Sequence, residues 1–335
     1  MYKPLTDHKV LVFDVYATLI DWEAGIYKAL EPLLSRFPPS VRWTRDEALL
    51  AFASVEYDLE VQYPGMLYSD LLSKIYEVLA ERLKALAGDE DGQGVVGNNA
   101  DARSAIPGES AASTSSADAG SPPLPHRVFA ESIRHWPLFP DTYAALQTLS
   151  KHFKLVVLSN VDRVSFGYTH ALLSEEPNPD PTSSPSLYAP PVLNSGQYWF
   201  PRTLVHSKSP FSLIMTAQDT GFYKPALEGF QTVLETVRTN NALLAGQGPG
   251  GRDLTLEEVK EKVLIVAKSI QHDIVPAGKL GLRSVWIERP GTGAATGAVR
   301  EGGWTWTYKT LGDFAEAVEA EKSTGVPGPF TGSFS

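Results

Sequence analysis

The feature that most constrains this chain is a short apolar stretch near its beginning that ends in a carboxylate. Residues 9–13 read KVLVF and are followed directly by Asp14. A Val- and Leu-rich run of this length is typical of a strand buried on both faces of a parallel sheet. Open α/β sheets bind their ligands at the carboxyl ends of such strands. Asp14 therefore either serves a site on that edge or only caps the following helix.

Later stretches of the same character predict four further strands. They are Leu155–Leu158, Phe211–Thr216, Lys262–Ala267 and Ser284–Ile287. Segments with helical spacing lie between them. The order therefore predicts an α/β fold, with a Rossmann-like core in which a parallel five-stranded sheet is flanked by helices.

Several helices in direct succession after the first strand predict an α-helical cap rather than a simple crossover. Residues 22–34 carry apolar side chains at helical spacing. Thr44 and Glu47 have the form of a capping box at the start of a second helix. Apolar residues recur at helical intervals from Leu71 to Leu86, which predicts a third.

These patterns divide the chain into a core, a cap and two segments of low complexity. We expect the core to comprise residues 1–20 and 137–322, and the cap to comprise residues 21–136. Residues 88–125 are dominated by Gly, Ala, Ser, Asp, Asn and Pro, so they predict a disordered insertion inside the cap. Residues 323–335 predict a flexible tail.

The composition excludes several classes of function. The chain has 335 residues, a net charge of −10 and no cysteine. The negative charge argues against binding to nucleic acid or to an anionic membrane. The lack of cysteine excludes disulfides, thiol catalysis and cysteine-ligated zinc. The first residues lack the apolar core of a secretory signal, and no apolar run approaches the ~20 residues of a membrane span. We therefore expect a soluble cytoplasmic protein.

Polar residues cluster at or just beyond four of the predicted strand positions. The clusters are Asp14 with Thr18, Ser159 with Asn160, Lys224, and Asp273. In a parallel sheet these ends share one edge, so the side chains can converge on one pocket. A carboxylate can act as a covalent nucleophile when a lysine balances its charge. A second carboxylate can position water or complete an oxygen site for Mg²⁺.

The ordered set resembles the haloacid dehalogenase (HAD) superfamily. Its motifs are a strand-end nucleophilic Asp, a strand-end Ser or Thr, a Lys, and one or two late acidic residues. The type II (L-2-haloacid) dehalogenase branch is the most similar subtype. This resemblance rests on FDVYATL, on WPLFPD followed by LVVLSN, on GFYKP, and on SIQHDIVPAGKLGL.

The resemblance implies roles for particular residues. The implied catalytic set is Asp14, Thr18, Lys224 and Asp273. The implied substrate-binding set is Tyr16, Ser159, Asn160, Ser269 and His272. Asp14 would be the nucleophile, Lys224 would balance its charge, and Asp273 would help to position the hydrolytic water. Each also has a structural alternative: Ser159 and Asn160 could form an ordinary turn, Lys224 could be solvated, Asp273 could cap a helix, and His272 could point elsewhere.

Position 16 separates two chemistries within this superfamily. HAD phosphatases carry a second Asp two residues after the nucleophile, which protonates the leaving alcohol. Here that residue is Tyr16, whose ordinary pKa near ~10 makes it a poor acid at neutral pH. A halide leaving group needs no proton, so Tyr16 favours dehalogenation.

Other positions depart from the branch. Its Gly after the tyrosine is Ala17, its later active-site tyrosine is Phe230, and its asparagine before the late Asp is Ile270. Its cap arginine has no counterpart in the segment AFASVEYDLEV, whose charged residues are Glu56, Asp58 and Glu60. An acidic lining there would repel halide and carboxylate alike.

The sequence thus predicts a hydrolase that displaces halide from C2 of a short 2-haloacid and then hydrolyses the aspartyl ester. Such an enzyme would act on a small anionic substrate without a cofactor, and the resemblance makes a homodimer plausible. Two alternatives stay open. One is a phosphatase with Mg²⁺ held by Asp14 and Asp273. The other is a non-catalytic, partner-binding relative.

Overall fold

The structure is a computed structural model of the 335-residue chain. It describes residues 3–90, 122–175, 185–194, 196–293 and 303–326, and all structural statements below concern those residues. Most of the predicted insertion and the end of the predicted tail lie outside them.

A single parallel sheet forms the centre of the described structure. Its strands are β1 (Val10–Phe13), β2 (Lys154–Ser159), β3 (Phe211–Thr216), β4 (Val263–Ala267), β5 (Arg283–Ile287) and β6 (Trp306–Tyr308). They lie in the order β3-β2-β1-β4-β5-β6, and every neighbouring pair is parallel. The first strand is thus central, with β2 on one side and β4 on the other.

The prediction of five strands was wrong by one, because β6 adds to the free edge of β5. Its register pairs Trp306 with Val285 and Tyr308 with Ile287. The segment is only three residues long. A strand that short, next to a Gly-rich stretch, gives little periodicity to recognise, although its aromatic and β-branched composition is typical of a strand.

Twelve α-helices accompany the sheet within the described ranges. They are α1 (Trp22–Leu34), α2 (Pro38–Val41), α3 (Arg45–Gln62), α4 (Tyr68–Glu90), α5 (Pro125–Ala130), α6 (Thr142–Leu149), α7 (Arg163–Ser174), α8 (Ala217–Thr220), α9 (Leu227–Thr239), α10 (Leu256–Lys260), α11 (Val275–Lys279) and α12 (Leu311–Thr324). Among these helices none combines the length and apolarity that crossing a membrane requires.

Helices cover both faces of the sheet, which explains why its central strands are apolar throughout. Alternate residues of β1 point to opposite faces. Leu11 and Phe13 belong to a cluster that includes α6, α12 and the helices that follow β1. Val10 and Val12 belong to a second cluster, which includes α9, α10 and α11.

The helices α1 to α5 all lie between β1 and β2 in the chain, as the predicted cap requires. The predicted capping box at the start of α3 is confirmed, since Thr44 and Glu47 exchange side-chain and backbone hydrogen bonds. Helix α4 continues to Glu90, past the predicted start of the insertion. Residues 91–121 lie outside the described ranges. The predicted boundaries between cap and core stay a prediction.

One glycine lets the first cap helix approach the core closely. A Cβ atom at Gly25 in α1 would lie 2.3 Å from Cδ1 of Trp136. Trp136 is buried and packs edge-on against Tyr16, with ring centroids 5.4 Å apart. The contact therefore connects α1 through Trp136 to the turn after β1.

We expect Gly25→Ala to lower the free energy of unfolding by about 1–3 kcal/mol, because the added methyl group would clash with the ring of Trp136. Helix propensity alone would favour alanine by about 1 kcal/mol. Gly278→Ala in α11 is the matched control, because a Cβ there meets nothing within 4 Å. Urea denaturation compares the two variants, and equal stabilities would contradict the packing argument.

Candidate active site

Three charged side chains from three strand ends meet at the centre of the sheet edge. The Nζ of Lys224 donates to Oδ1 of Asp14 over 2.7 Å and to Oδ1 of Asp273 over 2.8 Å. Asp14 follows β1, and Asp273 follows β4. All three side chains are buried. The parallel topology therefore brings together residues that lie far apart in sequence.

The turn after β1 fixes the orientation of Asp14. The Thr18 hydroxyl donates to Oδ2 of Asp14 over 2.6 Å, and it accepts from the backbone N–H of Lys268 over 2.9 Å. Ala17 in this turn has φ of +76°. Left-handed backbone favours glycine, so Ala17 adopts this turn at a conformational cost.

The end of β2 positions Lys224 through the side chain of Asn160. The Asn160 side chain accepts from the backbone N–H of Lys224 over 2.7 Å and donates to its carbonyl over 3.1 Å. Ser159 is buried, and its hydroxyl has no hydrogen-bond partner among the described residues. That these two residues hold a substrate anion stays a prediction, but the amide of Asn160 already has protein partners.

Tyr16 lies in the site without offering a proton. Its hydroxyl shares a 2.8 Å hydrogen bond with Thr169 of α7. Burial raises the pKa of Tyr16 above its ordinary value. The structure thus places no readily available acid at this position.

Ser269 and His272 flank Asp273 in a single turn of π-helix, Ile270–Ile274. The Ser269 hydroxyl accepts from the backbone N–H of His272 over 3.2 Å, which caps the turn. Burial, and then the positive charge of Lys224, lower the pKa of His272. The imidazole is therefore a neutral group beside the charged cluster.

These residues open onto one cavity of about 210 Å³ between the sheet edge and α3. From the core it is lined by Asp14, Tyr16, Ala17, Asn160, Val161, Lys224, Ser269, His272 and Asp273. From the helices after β1 it is lined by Trp22, Ala53, Glu56, Tyr57, Glu60 and Tyr68. Seven of the nine predicted site residues line this cavity, whereas Thr18 and Ser159 do not.

The sequence did not single out Trp22, Tyr57 and Tyr68 as lining residues, because their positions depend on how α1, α3 and α4 pack. The acidic segment of the cap was noticed, and the structure divides its members. Glu56 and Glu60 line the cavity, whereas Asp58 is exposed and lies 3.7 Å from Arg82.

The charged cluster perturbs its own members. Burial opposes the charged form of Lys224, but Asp14 and Asp273 outweigh it and raise the pKa of the lysine. Burial, and to a smaller extent the charge of Asp14, raise the pKa of Asp273, while Lys224 opposes that rise. Oδ2 of Asp273 has no hydrogen-bond partner within the described ranges. Such an oxygen is suited to accept a proton near neutral pH.

The two cap glutamates are also perturbed. The Tyr68 hydroxyl donates to Oε1 of Glu56 over 2.8 Å. Burial raises the pKa of Glu56, although this hydrogen bond opposes the rise. Burial and then the charge of Glu56 raise the pKa of Glu60, while Lys224 opposes that rise. A cavity without a ligand therefore disfavours two ionised glutamates.

Phe230 and Ile270, the other two positions at which the sequence departs from the dehalogenase branch, lie in different parts of the structure. Phe230 is buried in the core with α9, on the opposite face of the sheet from the cap helices. It therefore takes no part in the cavity wall. Ile270 begins the π-helical turn before Asp273.

The two carboxylates that a Mg²⁺ ion would use are already joined through a cation. Asp14 and Asp273 both bond to Lys224 through one oxygen each. Within the described part of the chain, no group of three or more His, Cys, Asp or Glu residues is arranged to hold a metal ion. With both carboxylates already bonded to Lys224, these donors do not fit a metal site built by the protein alone.

Known structures share the fold of nearly the whole chain. A defluorinating L-2-haloacid dehalogenase matches with a TM-score of 0.54 at 13% identity, over 95% of this chain and 99% of that chain. L-2-haloacid dehalogenase from Xanthobacter autotrophicus matches with a TM-score of 0.51 at 13% identity, over 93% and 98%. YfnB from Bacillus subtilis, a HAD-hydrolase bound to magnesium, matches with a TM-score of 0.50 at 15% identity, over 95% and 99%.

The chain therefore has the fold of the haloacid dehalogenase superfamily, in the form found in L-2-haloacid dehalogenases. The resemblance predicted from the motifs is confirmed for the fold. No protein-family model matches the sequence, and no curated protein matches it significantly.

We expect Glu60→Gln to gain stability over the wild type as the pH rises. The raised pKa of Glu60 means that the folded protein binds this proton more tightly than the unfolded chain does. Its contribution is therefore most favourable at low pH and declines above the ordinary pKa of 4.5. Between about pH 5 and about pH 8 the variant should gain about 1 kcal/mol on the wild type, a figure discounted for partial solvent exposure.

Thermal and urea unfolding at both pH values measure this difference. Asp58→Asn removes an exposed charge from the same helix and serves as the control. A Glu60→Gln difference that does not change with pH would contradict the assigned environment of this side chain.

Proposed function

We propose that this protein is a hydrolase that uses Asp14 as a nucleophile to release halide from a short 2-haloacid. The observation that carries the proposal is the buried cluster in which Lys224 joins Asp14 and Asp273. It offers a nucleophile, its compensating charge and a second carboxylate within one cavity. The fold shared with L-2-haloacid dehalogenases supports the same chemistry.

In the first step an oxygen of Asp14 attacks the carbon that bears the halogen. The new C–O bond forms as the carbon–halogen bond breaks, and halide leaves with the bonding electron pair. The lysine ammonium and the Thr18 hydroxyl hold the carboxylate in place. Positioning of this kind accounts for much of the rate that an enzyme gains.

In the second step water attacks the carbonyl carbon of the Asp14 ester. The free oxygen of Asp273 accepts a proton from that water, consistent with its lack of another partner. The ester C–O bond breaks, the hydroxyacid takes a proton, and Asp14 regains its carboxylate with one oxygen from solvent. The sum is a haloacid plus water giving a hydroxyacid, halide and a proton.

The state of Tyr16 supports a leaving group that departs without protonation. Its hydroxyl is bonded to Thr169, and burial raises its pKa. An alcohol leaving group, as in phosphate ester hydrolysis, would need a proton donor at this place.

We expect the purified protein to release halide from a panel of 2-chloro- and 2-bromoacids in the presence of a metal chelator. The panel includes acids with neutral, anionic and amine-bearing chains. Asp14→Asn and Asp14→Ala should lower the rate by at least about a thousandfold, since removal of a nucleophile usually has an effect of this size. Asp58→Asn, on the exposed side of α3, should keep the wild-type rate. Ion chromatography of halide measures all four proteins.

Halide release that survives both Asp14 substitutions would contradict the proposed nucleophile. A protein that is inert on the panel but hydrolyses a phosphate ester only with added Mg²⁺ would be a phosphatase instead. If both assays fail with folded protein, the partner-binding alternative replaces the enzyme.

A further inference from the structure

One face of α3 forms the cap-side wall of the cavity. Ala53, Glu56, Tyr57 and Glu60 recur at spacings of three and four residues, so they lie on the same side of the helix. The buried residues of α3, among them Phe52 and Val55, lie on another side and pack into the core. The two glutamates are thus presented to the cavity by the helix geometry.

The acidic side chains that line the cavity outnumber the basic ones. Four of its lining side chains are carboxylic acids: Asp14, Glu56, Glu60 and Asp273. Among the described lining residues Lys224 is the sole lysine or arginine, and its ammonium is already bonded to Asp14 and Asp273. It makes no hydrogen bond to either glutamate. Neither glutamate therefore has a lysine or arginine partner among the described lining residues.

Two further observations point to a bound ligand in this cavity. Oδ2 of Asp273 is buried, without a hydrogen-bond partner among the described residues, in a side chain that lines the same cavity. Four aromatic side chains also line the same cavity, Tyr16, Trp22, Tyr57 and Tyr68, and the Tyr68 hydroxyl donates to Glu56. Aromatic rings together with carboxylates are the usual surroundings of a bound organic ammonium.

We propose that the cavity selects substrates that carry a protonated amine, which Glu56 and Glu60 bind with the neighbouring aromatic side chains. The proposal rests on the proposed function for the reacting end of the substrate, and it adds the group at the other end. The substrate class is accordingly a 2-haloacid with an ammonium group on its chain, rather than a simple haloacid.

A matched pair of substrates tests the proposal by turnover. One is 2-chlorohexanoate with an amino group on its last carbon, and the other has a methyl in place of that ammonium. The wild type should favour the amine by about tenfold or more in kcat/KM, mainly through KM, since an ion pair near a protein surface contributes on the order of 1 kcal/mol or more. Equal use of both substrates, or preference for the methyl compound, would overturn the proposal.

Variants of the two glutamates test whether these side chains cause the preference for the amine-bearing substrate. Glu60→Gln alone, and Glu56→Gln with Glu60→Gln, keep the side-chain shape and a hydrogen-bond acceptor for Tyr68. We expect the ratio between the two substrates to fall in the single variant and to approach unity in the double variant. Asp58→Asn removes the same charge from the exposed side of α3 and should leave the ratio unchanged. A ratio that persists in the double variant would overturn the assignment.

A binding measurement keeps this test separate from the proposed function. Butylammonium and butanoate are titrated into the wild type and the double variant by calorimetry, without any turnover. Butylammonium should bind the wild type and lose about tenfold or more in affinity in the double variant. If no substrate releases halide but this result holds, the proposed reaction fails and the ammonium site stands. If butanoate binds the wild type and butylammonium does not, the ammonium site is overturned.

Discussion

The ammonium of Lys224 between the carboxylates of Asp14 and Asp273 is the interaction on which the rest of the site depends. Two buried acids at one strand edge would repel each other without it, and a buried unpaired charge is costly. Two further side chains fix the position of this cluster. The Asn160 side chain holds the lysine backbone, and Thr18 holds the second oxygen of Asp14. The polar side chains of Asn160 and Thr18 near the sheet edge thus serve to orient this cluster.

The sequence was a good guide to the sheet because its central strands are buried on both faces and therefore read as apolar runs. It also indicated that Asp14, Lys224 and Asp273 would meet, since parallel strands end on a common edge. It could not show that the Asn160 side chain would hydrogen-bond to the backbone of Lys224, because only the fold brings these two residues together. The short strand Trp306–Tyr308 was missed because three residues carry little pattern.

In the cap, too, the sequence pattern predicts some features, whereas others depend on how the helices pack. Helical spacing places Glu56 and Glu60 on one face of α3 and Asp58 on another. The packing of α3 against α1 and α4 decides which face of α3 meets the cavity. The local sequence pattern of α3 does not contain that information. The sequence therefore suggested an acidic lining that repels anions. The structure adds the aromatic side chains beside it, and the combination suits a cation instead.

The proposed reaction requires that Asp14 becomes covalently esterified and that water then hydrolyses this ester. The direct measurement is a single turnover with enzyme in excess over the substrate, in water enriched in heavy oxygen, followed by mass spectrometry of the peptide that contains Asp14. Attack by Asp14 predicts one heavy oxygen in Asp14 and none in the hydroxyacid formed in that turnover. Heavy oxygen in the hydroxyacid with an unlabelled Asp14 would show direct attack by water and would rule out Asp14 as the nucleophile.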